Sequence, residues 1–115
     1  MEEKIKKALL KIKEKYHLDG FIVEIVEGNG ASISGNLIKI GKNNPLEFIE
    51  CIILHECYHA ILQINQTNDF LEKDKGNITP YIQTKIRIWN KIKEDFPELK
   101  EKIDFIQSSV GHTIR

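Results

Sequence analysis

Apolar residues recur near the start of the chain at Ile5, Leu9, Ile12 and Tyr16, in steps of four, three and four, and most of the opposite face is lysine. This is the stripe of an amphipathic helix over residues 2 to 17. Asp19-Gly20 ends it, and His17 reads as a helix-end residue facing the dipole rather than as a ligand. From Phe21 the period drops to two. Phe21, Val23 and Ile25 alternate with Ile22, Glu24 and Val26; Gly28-Asn29-Gly30 turns the chain; Ala31 and Ile33 follow; after a Ser34-Gly35-Asn36 turn come Leu37, Ile38 and Ile40. The alternation predicts a small three-stranded antiparallel meander. One strand must form an edge, which either takes up an extended peptide or serves only as cover.

Asn44, Pro45 and Glu47 then combine an N-cap, a first helical proline and a carboxylate three residues after the cap. They predict a helix from about Pro45 to Asn65. Residues 66 to 78 read as a polar connection. Thr79-Pro80 opens a further helix with a broad apolar face of Tyr81, Ile82, Ile86, Ile88, Trp89 and Ile92, which Phe96-Pro97 breaks. A last helix carries Leu99, Ile103, Ile106 and Val110 and packs either on its own core or on that of a second copy, a route to a homodimer. The fold class expected is α+β: an N-terminal helix, a small antiparallel sheet, a central apolar helix and two C-terminal helices.

Composition narrows the class of partner more than the fold. The 115 residues suit one domain with one core, and 17 basic residues balance 17 acidic ones. No basic patch interleaved with aromatics, phosphate-binding glycine loop or repeat points to nucleic acid. The longest apolar run, residues 51 to 62, is too short and too interrupted for a membrane span, and the charged N-terminal stripe is unlike a signal peptide. Cys51 and Cys57 lie six apart on one predicted helix and cannot pair with each other. Free thiols fit a reducing compartment, so a cytoplasmic location is expected.

The central apolar run contains the candidate chemistry. Residues 51 to 62 read CIILHECYHAIL, so His55, Glu56 and His59 form H-E-x-x-H. On a helix a four-residue step puts the two imidazoles on one face a turn apart, where they can share one metal ion. Glu56 sits about 100° round, beside that face. Two neutral imidazoles suit Zn²⁺, which lowers the pKa of a coordinated water, and a neighbouring carboxylate can take its proton. A helix carrying these groups for packing alone would bury polar side chains at roughly a few kcal/mol for each one left unpaired. A catalytic zinc site needs a third protein ligand. Residues 79 to 93 contain no acidic residue, so the candidates are Glu94 at that helix's far end, Glu72 in the connection, and His112, which is the only downstream histidine. No group for the oxyanion is identifiable; Tyr81 or Tyr58 could serve, but each reads first as a core or rim tyrosine.

HECYHAIL on a helix, preceded by an N-terminal helix and a small sheet, resembles the gluzincin-like metallopeptidases. In size and order of elements the chain is similar to the minigluzincins, miniature counterparts of the catalytic domains of HtpX-type membrane peptidases. The resemblance in order of elements spans most of the chain, while only His55, Glu56 and His59 are motif-specific. It implies a zinc-dependent endopeptidase acting on a peptide or protein substrate, often held latent by its own C-terminal segment. Here that segment is about residues 97 to 115, folded back on the domain or exchanged across a dimer. In gluzincins the third ligand is typically Glu, and in minigluzincins His, which implies metal ligation by His55, His59 and His112, with Glu94 or Glu72 as fallbacks. Glu56 takes the catalytic role. The other reading is a non-catalytic domain in which zinc is structural and the last helix mediates assembly.

Overall fold

The computed structural model describes residues 1 to 63 and 79 to 109, apart from the side chains of residues 79 to 85 and of Ser109. The expected polar connection with Glu72, the side chain of Tyr81, and Val110 and His112 lie outside the described residues. Helix α1 (Glu2–Tyr16) leads into strands β1 (Ile22–Val26), β2 (Ala31–Ser34) and β3 (Leu37–Gly41). A 3₁₀ turn (Leu46–Phe48) precedes α2 (Ile49–Ile61); then come α3 (Thr79–Asp95), a second 3₁₀ turn (Pro97–Leu99) and α4 (Lys100–Ser109). The fold is α+β with the expected order of elements.

α1 forms where the stripe predicts it. Ala8 and Ile12 are fully buried, Ile5, Leu9 and Tyr16 pack on the core beside them, and Glu2 and Glu3 complement the dipole at the first turn. His17 closes the helix in the left-handed conformation (φ 56°), so it is the residue that turns the chain out of the helix. α2 differs in kind. Every residue from Ile49 to His59 is buried, because α1 covers one side, β2 and β3 another and α3 a third. A helix that is apolar all round has no solvent face to offer and becomes the centre of the core.

The sheet corrects the antiparallel meander. The strand order is β1-β3-β2, with β2 antiparallel to β3 but β1 parallel to it, from Ile22 opposite Leu37 to Val26 opposite Gly41. Only the β2–β3 connection is a hairpin, a two-residue loop at Gly35-Asn36 with Gly35 at φ +61°. The Gly28-Asn29-Gly30 segment instead carries the chain across the end of β3 to its far side. There Lys42 N–H donates to Val26, Asn43 N–H to Gly28 and Gly41 N–H to Gly30. The crossing is possible because residue 41 has no side chain: a Cβ there would stand 2.3 Å from the Gly28 carbonyl oxygen. Strand periodicity fixes which face is apolar but says nothing about which neighbour a strand chooses. β1 and β2 are therefore both edges, and it is β2, together with β3, that packs on α2.

The start of α2 is also corrected. Asn44 does not cap it; its Nδ2 donates to Gly30 O at 3.1 Å and Gly41 O at 2.8 Å, tying the loop back to the sheet. Pro45 stays extended (ψ 129°), and the first helical bonds belong to the 3₁₀ turn. The helix itself ends at Ile61, with Gln63 at φ 55°. The tertiary bond from Asn44 to the sheet outcompetes the local cap. α4 packs on the chain's own core through Ile103 and Ile106, with Leu99 of the turn before it, while Phe105 stacks on Phe48 at 5.5 Å.

Candidate metal centre

His55, Glu56 and His59 come together on α2 as the spacing requires. The imidazole centroids are 4.9 Å apart with the rings at 78°, and one ligand atom from each of the three residues lies within 4.8 Å of the others. Two metal–ligand bonds of about 2.1 Å span at most about 4.2 Å, so these separations are close to what one ion bridges. His55 and Glu56 are fully buried and His59 is 6 % exposed. The group can hold a metal ion, and its donors, two imidazoles and a carboxylate, are those that borderline divalent cations prefer.

Burial sets the electrostatics. Removal from water pushes the Glu56 carboxyl up to about 8, because burial penalises its charged form. A cation held by the adjacent imidazoles acts in the opposite direction and favours carboxylate. The same burial raises Cys51 to about 11 and Cys57 to about 12, which leaves both thiols protonated and unreactive. Both are free.

The other candidates separate clearly. Glu94 is not part of the cluster: its carboxylate is 74 % exposed and faces Lys91 at 3.7 Å, so the described part of α3 does not deliver it to the histidines. Glu72 and His112 lie outside the described residues. Tyr58 is not placed to polarise a substrate, since its buried hydroxyl donates to Asp95 at 2.6 Å. Among the described residues no helix is long and apolar enough to cross a membrane.

Two residues of α3 that contact α2 here were not singled out from the sequence. Trp89, 1 % exposed, lies tilted at 38° on His55 with centroids 4.5 Å apart, and so fixes one side of that imidazole. Read along the sequence it is one more apolar stripe residue. Asp95 accepts hydrogen bonds from Tyr16 and Tyr58 on the same oxygen. Its signal was available, because Ile88, Ile92 and Asp95 continue the α3 stripe in steps of four and three, and an acid on a stripe is an acid aimed at the core. Burial alone would raise the Asp95 pKa. The bonds from Tyr16 and Tyr58 and the charges of Lys91 and Lys15 outweigh it and hold the group below the usual carboxylate range.

That depression has a definite sign. A carboxyl whose folded pKa lies below its unfolded value of about 3.9 contributes stability that is complete above that value and is lost as pH falls through the folded pKa. Asp95→Asn is expected to be less stable than wild type at pH 6 and to lose less of its remaining stability between pH 5 and pH 2. Urea midpoints measured across that range check it, and parallel curves for the two proteins would contradict it.

No family model matches the chain, and no curated protein or solved structure matches it either.

Proposed function

We propose that the chain is a zinc-dependent metallopeptidase of the minigluzincin kind, with His55 and His59 as metal ligands and Glu56 as the general base. The observation that carries this reading is the buried convergence of the three side chains on one turn of α2, within 4.8 Å of each other. When bound, Zn²⁺ supplies Lewis acidity toward a peptide carbonyl and lowers the pKa of water. Glu56 takes the proton from the attacking water and returns it to the leaving amine, a transfer that needs a carboxylate of raised basicity within reach of the ligands. His55 is steadied by Trp89 and so holds its ring plane. A third ligand completes the set, and His112 takes that role on the family resemblance.

Full burial of His55 and Glu56 supports latency, since a substrate carbonyl reaches them only after some part of the protein moves. Leu99, Ile103 and Ile106 belong to the core. Removal of everything from residue 97 would therefore unfold the domain, and an inhibitory role falls to the residues after Ser109. The same burial favours a second reading, a closed zinc site that only stabilises an interaction domain.

The two readings separate on comparison of the full chain with residues 1 to 109, each loaded with Zn²⁺, by metal content and by cleavage of a degenerate peptide mixture. Cleavage that appears or rises on truncation supports the latent peptidase, and loss of bound zinc on truncation assigns a ligand to the removed segment. A four-ligand protein shell by X-ray absorption, with no cleavage by either form, would establish the structural site and end the peptidase reading.

A further inference from the structure

Tyr58 directly precedes His59 on α2, is fully buried, and donates its hydroxyl to Oδ2 of Asp95 at 2.6 Å. The same oxygen accepts from Tyr16 on α1, and the two phenol rings meet edge to face at 5.8 Å and 87°. Asp95 Oδ1 faces Lys91 at 3.5 Å and Lys15 at 3.8 Å, and the carboxylate side chain is 3 % exposed. One buried charge thus joins α1, α2 and α3. Six residues earlier on α3, about 9 Å along the helix, Trp89 rests on His55. α3 therefore grips α2 at two points, one on the first imidazole and one beside the second.

Packing does not explain the acid. A buried ionic group can often be replaced by an apolar residue of similar volume without loss of stability, and what such a group gives in return, in some proteins, is a unique arrangement. A charged acceptor shared by two phenols has stronger and more directional bonds than an apolar contact. Metal ligands need that accuracy, about half an ångström and 10–20°, and the groups behind them supply it. We propose that Asp95 is a positioning residue for the metal centre, setting through Tyr58 the rotation of the α2 turn that carries His59. This rests on the metal-binding reading of His55 and His59.

Tyr58→Phe and Tyr16→Phe form a matched pair for the test. Each keeps its ring and removes one hydrogen bond to the same carboxylate oxygen, but only Tyr58 stands on the helix that carries the imidazoles. Co²⁺ is the probe, titrated into the full metal-free chain and read by its d–d absorption. Tyr58→Phe and Asp95→Asn are expected to weaken Co²⁺ binding by about tenfold or more and to shift the band. Tyr16→Phe is expected to bind within about twofold of wild type with an unchanged band, at a similar fall in melting temperature. If Tyr58→Phe and Tyr16→Phe behave alike toward Co²⁺, Asp95 is a structural tie only and the proposal is overturned, even should Asp95→Asn fail to fold. Absence of Co²⁺ binding by the wild type would overturn the metal reading itself, and this proposal with it.

Discussion

Glu56→Gln is expected to retain bound Zn²⁺ and to lose peptide cleavage by about 10²–10⁴-fold, the usual contribution of a positioned general base. Gln keeps the volume and shape of the side chain and can still accept a hydrogen bond, but it has no useful basicity. His55 and His59 are untouched by the change, so metal content should be equal in the two proteins. Stability should not suffer either. The carboxyl is fully buried and its pKa is raised to about 8, which means that the fold already disfavours its charged form, and a neutral amide removes that cost. Zinc by mass spectrometry and kcat/KM on the best peptide from the mixture, both on the form that shows cleavage, check the result. Equal kcat/KM in the variant would remove Glu56 from the mechanism, whereas a joint loss of zinc and activity would make it a ligand rather than a base.

His59→Ala is expected to abolish the thermal stabilisation that metal confers. Free Zn²⁺ at about 100 times its dissociation constant stabilises the folded state by about 2.7 kcal/mol. For a domain of this size that raises the melting temperature on the order of 10 °C. Each protein should be compared with and without Zn²⁺, so that the packing lost with the imidazole cancels. That cancellation matters more for His55→Ala, because His55 is fully buried against Trp89 and its removal leaves a void. His59 is the cleaner site, at the margin of the core. A His59→Ala protein that still gains about 10 °C with Zn²⁺ would place the ion elsewhere. Loss of the shift in His59→Ala but not in His55→Ala would reduce the site to Glu56, His59 and residues outside this turn.

Ion pairs tie the surroundings of α2 together. α4 belongs to the same core as α2, and Lys11 on α1 reaches both Glu50 at the start of α2, at 3.0 Å, and Glu98 in the turn before α4, at 2.8 Å. Glu50 is buried, and removal of Lys11 would leave it only the longer pair with Lys7, at 4.0 Å. Lys11 thus ties α1 to the first turn of α2 and to the turn that leads into α4.

The sequence by itself determined the helices, the strands, the apolar character of α2 and the convergence of His55 with His59. These follow from repeats inherent to the backbone, a turn every 3.6 residues and alternation every two, which act over a few neighbouring residues and leave their mark in the order of side chains. Only the tertiary structure decided that β1 runs parallel to β3, that Asn44 bonds to the sheet instead of capping α2, that Glu94 faces solvent, that Trp89 lies on His55 and that Asp95 takes the Tyr58 hydroxyl. Each of these depends on which of several physically adequate partners lies nearest once the chain is compact. The crossing at Gly41 shows the reason most plainly: a missing Cβ permits a path, but the path is chosen by bonds from Gly41, Lys42 and Asn43 to residues more than ten positions away.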